Sequence, residues 1–217
     1  MKMVLIICLT VIICSSCDKT KLDFHKDKEL ASVYSYDEIN EIEKMVNYVE
    51  NRILQLAGES DISLAYESFW SNFKRISSPS DLVIPFTDEE KFIFIESLDV
   101  NTIESFFKID TCYGKVNYQD SIYTNLCGIK HLKLSYEGKF MKYLSEVGKK
   151  DSNFKAIYSM LKAGGDVPAG RYQGIANAYD IVDIQSTKWR LLFSFYVLRM
   201  EETIDTKIKR HFEKTEQ

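Results

Sequence analysis

Apolar residues between positions 39 and 56 recur at alternating spacings of three and four: Ile39, Ile42, Val46, Val49, Ile53 and Leu56. That period places them on one face of an α-helix, which is read as facing the protein's own core rather than a partner. Ser35 and Glu38 form a capping-box pattern ahead of the stripe, and Gly58 supplies the stop. A second helix follows from a cap at Ser60 or Asp61, with Ile62, Tyr66, Phe69, Phe73 and Ile76 on one face and Trp70 beside them. Pro79 and Pro85 break the chain after it. Thr87 and Glu90 repeat the capping box before Phe92, Ile93, Ile95 and Leu98, and a short helix is expected from Asn101 through Phe107.

Helical spacing returns at Leu132, Tyr136, Phe140, Leu144 and Val147, then at Phe154, Ile157, Tyr158 and Leu161 behind a cap at Asp151 or Ser152. Gly164 and Gly165 end that helix, and Asp166 with Pro168 resembles a new start. From Leu191 to Leu198 only Ser194 is polar. A segment apolar all round is a buried central helix or a buried strand. Ile204, Ile208 and Phe212 continue at spacing four, which favours one helix reaching to near Arg210. Between these elements Val116 and Tyr118 alternate, which admits a small β-hairpin near 113–126. The expected fold is mainly α: a single-domain helical bundle of about six to eight helices over residues 36–217.

The first residues follow another pattern. Lys2 precedes an uncharged apolar run from Val4 to Cys14, interrupted only by Thr10, and Ser15-Ser16-Cys17 ends it. A charged start, a short apolar run and a small-residue exit describe a secretory signal over residues 1–16. The run is too short to span a bilayer, which takes about 20 apolar residues. A cysteine directly after two serines resembles the lipobox of bacterial lipoproteins. The resemblance implies that Cys17 carries the acyl groups, palmitate among them, once the signal is cut. Cys8 and Cys14 follow bulky isoleucines and do not suit the cut. Asp18 resembles the inner-membrane retention signal of enteric bacteria. That rule does not extend to all bacteria, and an outer-membrane anchor is the favoured expectation. Residues 17–35, dense in Lys, Asp and Glu, read as the lipidated cysteine and a flexible tether.

Without the signal 201 of the 217 residues remain, enough for one domain with a real core. Loss of Lys2 takes the formal net charge from −4 to −5. Nucleic acid demands concentrated positive charge, so it is excluded as a partner. With the signal gone and Cys17 alkylated, two cysteines remain, Cys112 and Cys127. In an oxidising envelope they would form a disulfide worth roughly 3 kcal/mol for a loop of about 15 residues; the alternative is two buried thiols.

No chemical motif is complete. His25, His131 and His211 share no helical face, so no metal site or cofactor is expected. Gly165, Gly170 and Arg171 lack the lysine and hydroxyl of a phosphate loop. Ser71-x-x-Lys74, Tyr123-Thr124-Asn125 and Lys162-Ala163-Gly164 run in the order of the penicillin-binding motifs, but Ala163 has no hydroxyl. Glu67, Asp88 and Glu89 are acids that no spacing singles out. Tyr113, Tyr118, Tyr123 and Tyr172 fit no helical stripe and are the candidate binding surface. The functional expectation is a lipid-anchored envelope protein that binds an envelope or secreted protein without catalysis, an immunity or inhibitor lipoprotein being one form. A glycan- or small-ligand-binding surface lipoprotein is the second class, and an envelope hydrolase the third.

Overall fold

The computed structural model describes residues 22–74, 83–164 and 182–215. A 3-10 turn (Phe24–Lys26) and α1 (Lys28–Ala31) lead into α2 (Tyr36–Ala57), α3 (Ile62–Lys74), α4 (Asp88–Ile95) and α5 (Val100–Phe106). An antiparallel hairpin follows, β1 (Phe107–Tyr118) and β2 (Ser121–Leu134). Then come α6 (Lys139–Gly148), α7 (Ser152–Gly164), α8 (Thr187–Leu198) and α9 (Ile204–Thr215). The chain is mainly helical, with nine α-helices and one two-stranded sheet among the described residues.

The expected caps set the helix ends. Ser35 Oγ accepts from the Glu38 amide, and the Glu38 carboxylate accepts from the Ser35 amide at 2.8 Å. Thr87 and Glu90 do the same for α4. Gly58 closes α2 at a φ of 67°, a conformation that costs glycine nothing. The stripe of α2 is buried from Ile39 to Ile53, and only Leu56 at its end is exposed.

The segment Leu191–Leu198 is helix, not strand, and every residue in it is buried. Phe193 lies 5.6 Å from Tyr66 and 5.1 Å from Trp70, while Phe195 lies 4.4 Å from Phe140 and 5.4 Å from Phe107, ring centre to ring centre. α8 thus meets α3 on one side and the hairpin base and α6 on the other. Glu50 of α2 and Arg190 of α8 form a bidentate pair inside this packing, with the Tyr66 hydroxyl donating to Glu50 at 3.5 Å.

Three expectations are corrected. Residues 22–35 are not a tether: Phe24, Leu30 and Tyr34 enter the main core. Asp27, also buried, accepts from Leu30 N at 3.0 Å, Thr187 Oγ1 at 3.0 Å, Tyr143 Oη at 3.3 Å and Lys188 Nζ at 3.4 Å. Three spaced apolar anchors and one buried carboxylate outweigh the charged composition. Residues 18–21 and Cys17 lie outside the described residues.

The hairpin is longer than 113–126, taking in 107–134. Its turn, Tyr118 to Ser121, places Gln119 and Asp120 at φ values of 46° and 60°, so no glycine marks it. The register shifts between Asp110 and Cys112. Gly128 sits at the shift with a φ of 93°, where a Cβ would meet His211 at 2.9 Å. The shift breaks the period-two alternation and so hides the strands from pattern reading. Beyond it Cys112 and Cys127 are direct cross-strand partners, with sulfurs 2.06 Å apart, at bonding distance.

The last helix is two helices. Arg199 ends α8, and Thr203 restarts the chain by accepting the Thr206 amide at 3.3 Å. The intervening groups are held from outside: Lys91 Nζ donates to the Met200 carbonyl at 2.8 Å, and the Leu132 amide donates to Glu201 at 3.0 Å.

The N-terminal segment carries a pH prediction. Lys150 at 2.8 Å and Lys188 at 2.9 Å lower the Glu29 carboxyl from 4.5 to about 2. A depressed folded-state pKa adds stability that is whole above the unfolded value and fades as pH falls toward the folded one. The melting-temperature gap between wild type and Glu29→Gln is therefore expected to be full above about pH 5 and to shrink steadily toward about pH 2. A gap constant over that range in a calorimetric pH series would contradict the assignment.

Candidate functional site

Two concavities stand out. The smaller, about 300 Å³, lies between α4, β2 and α9, with Phe92, Ile93 and Ile129 among its walls and Lys130, Arg210 and Lys214 among its charges. At its base Asp88 is 6% exposed and is held between Lys91 Nζ at 2.7 Å and Lys207 Nζ at 2.8 Å. Burial pulls the Lys207 ammonium toward deprotonation, but Glu201, 2.6 Å away, and Asp88 outweigh it and hold its pKa above the ordinary lysine value. Burial dominates at Lys91 and lowers it. Toward the rim Arg210 binds Glu202 through both nitrogens, at 2.8 and 2.5 Å, and Lys214 meets Glu89 at 3.2 Å. These charges are matched to one another. They fasten α9 to α4, as buried ions require.

The larger concavity, about 800 Å³, is an open cleft between α2, the start of α5 and the turn before α6. Asp37, Glu38, Glu41, Asp99, Glu104 and Glu137 line it against one base, Lys139. Three of the acids serve the fold. Glu38 pairs with Lys139 at 2.6 Å, Glu41 with Lys44 at 2.6 Å, and Asp99 caps α5 through the Thr102 amide at 2.9 Å. Burial raises the Glu38 carboxyl, but Lys139 and the Ser35 cap outweigh it, and the net shift is downward. Asp37, Glu104 and Glu137 have no ion-pair partner among the described residues. Tyr36, Val100 and Tyr136, each the chain neighbour of a lining residue, are exposed.

The described tyrosines that the sequence pattern picked out are half-buried beside α9. Tyr113 stacks on His131 at 4.4 Å, and Tyr118 and Tyr123 lie 6.4 and 5.4 Å from Phe212. α9 covers them only in part, and all three stay partly exposed. The apolar face of α9 was read as continuing the preceding helix, which left the tyrosines without a visible cover. Tyr172, Gly165, Gly170 and Arg171 lie outside the described residues.

The other candidates are not brought together. Ser71 and Lys74 are on α3, Tyr123 to Asn125 are on β2, and Lys162 to Gly164 end a helix where the penicillin-binding motif wants a strand. Glu67 is exposed on α3, apart from Asp88 and Glu89 on α4. His25 stacks on Tyr36 at 4.0 Å and bonds Asn40 at 3.0 Å. Among the described residues no group of three or more His, Cys, Asp or Glu side chains is placed to hold a metal, and no helix is long and apolar enough to cross a membrane. The acidic cleft was missed because its carboxylates come from three separated segments. Only Asp37 and Glu41, four apart on the polar face of α2, gave a local signal.

No protein-family model, curated protein or solved structure matches this chain.

Proposed function

We propose that this chain is a lipid-anchored protein of a bacterial cell envelope, most simply at the outer membrane, that binds another envelope or secreted protein and performs no catalysis. One concrete form is an immunity or inhibitor lipoprotein that blocks a toxin acting outside the cytoplasm. One observation carries the binding reading: an open cleft presents Asp37, Glu104 and Glu137 without ion-pair partners among the described residues, and their chain neighbours Tyr36, Val100 and Tyr136 are exposed. Carboxylates left unneutralised at a surface steer a cationic partner, and neighbouring tyrosines supply contact area. The partner's docking face is therefore basic.

The anchor rests on Ser15-Ser16-Cys17 at the end of the apolar leader. Cys112 and Cys127 at bonding distance fit the oxidising compartment to which that leader would deliver the chain. A small-ligand reading keeps one specific support, the cavity beside Phe92 and Ile129. A ligand-dependent rise in melting temperature, with no protein captured, would select it.

Cells given a fatty-acid analogue are expected to label the wild-type chain and not Cys17→Ser; equal labelling would remove the anchor. Capture from native envelope and secreted fractions, read by mass spectrometry, tests binding. A single stoichiometric basic protein is the expected result, and recovery of background alone would contradict it.

A further inference from the structure

We infer that α9 is a displaceable strap over the far half of the hairpin, one that opens locally while the main core stays folded and uncovers more of an apolar, aromatic face. The register shift at Gly128 divides the hairpin. Its near half gives Phe107, Leu132 and Leu134 to the main core, which runs to Met200 and takes no residue from α9 among those described. Its far half, stapled at its base by the Cys112–Cys127 pair, builds a separate cluster with α9. Val116, Ile129 and Ile208 are buried there, with Tyr113, Tyr118, Leu126, Ile204 and Phe212 packed around them. A cluster this small holds its elements less firmly than the main core does, and regions with few buried apolar contacts open first. A 12-residue helix lifted from its support is marginal in water, so release would melt α9 rather than leave it standing.

The strap is fastened to α4 at two points, by Lys207 on Asp88 and by Lys214 on Glu89. The chain between α8 and α9 turns at 199–203, and that turn is where it would swing. Lifting α9 bares Tyr113, Tyr118 and Leu126 while the cysteine pair keeps the two strands in register. The inference does not depend on the acidic cleft or on any partner.

Hydrogen exchange on the full mature chain, read by mass spectrometry, tests it. Amides of α9 and of 112–129 are expected to exchange at least about tenfold faster than those of α2 and α8. Ile208→Ala is expected to widen the gap by at least about a further tenfold, with α2 and α8 unchanged. Phe212→Ala, at a partly exposed position, is the milder variant should Ile208→Ala fail to fold. Equal protection across α9, α2 and α8 would overturn the strap. So would variants that leave the gap unchanged or accelerate all helices alike, because α9 would then belong to one cooperative unit.

Discussion

Replacing Phe195 by alanine is expected to lower the unfolding free energy by roughly 3–5 kcal/mol. The ring is fully buried on α8 and meets two other elements at once, through Phe107 at the base of the hairpin and Phe140 on α6, with Tyr196 of its own helix alongside. Truncation removes the transfer energy of the ring and leaves a void that these rings, fixed by separate elements, do not close together. The urea midpoint should fall with the slope unchanged, because stability rather than compactness is altered. Ile93→Ala, on the exposed side of α4, is the comparison and should change stability by no more than about 0.5 kcal/mol. A Phe195→Ala effect as small as that of Ile93→Ala would contradict the central position of α8.

Arg190→Ala is expected to cost a similar amount, roughly 3–5 kcal/mol, by a different route. Glu50 is 5% exposed, and burial pushes its carboxyl above the ordinary range against the pull of Arg190. Without the guanidinium the carboxylate keeps, among the described residues, only the distant Tyr66 hydroxyl, at 3.5 Å. It must remain charged in an apolar setting or take up a proton. Removing both charges relieves that demand. Glu50→Leu with Arg190→Met should recover most of the loss, since replacing a buried pair by apolar side chains of similar size is often near neutral. Equilibrium unfolding of the two single variants and the double variant forms the cycle. A double variant as unstable as the sum of the single ones would show that packing, not charge, sets the effect.

The sequence was most legible where the signal is local. Each capping box lies within four residues, and so does the three–four spacing of α2; helix starts at Tyr36 and Asp88 follow from them. The buried nature of Leu191 to Leu198 was equally plain, because a run without polar positions has no exposed side to offer. What failed to show depends on partners far along the chain. Asp27 looks like any tether acid until Tyr143, Thr187 and Lys188 are folded around it. The end of α8 at Arg199 is hidden because Ile204, Ile208 and Phe212 keep helical spacing while facing a different cluster. Thr203 was the available sign, as a capping residue ahead of a new apolar period. The hairpin lacked the Asn-Gly type of turn and carried its irregularity at Gly128, so only its centre was readable. Of the cleft only the α2 acids gave a local sign, since Asp37, Glu104 and Glu137 meet only through the packing of α2, α5 and the turn before α6.

The measurement that bears most directly on the binding account is paired capture from native envelope and secreted fractions. One bait is the wild-type chain, and the other carries Asp37→Lys, Glu104→Lys and Glu137→Lys. All three positions are at the surface of the cleft, so the fold should survive, which a circular dichroism melt would verify. One basic protein, bound stoichiometrically by the wild type and lost from the variant, is the expected result. Equal recovery of that protein on both baits, or its absence from both, would contradict it.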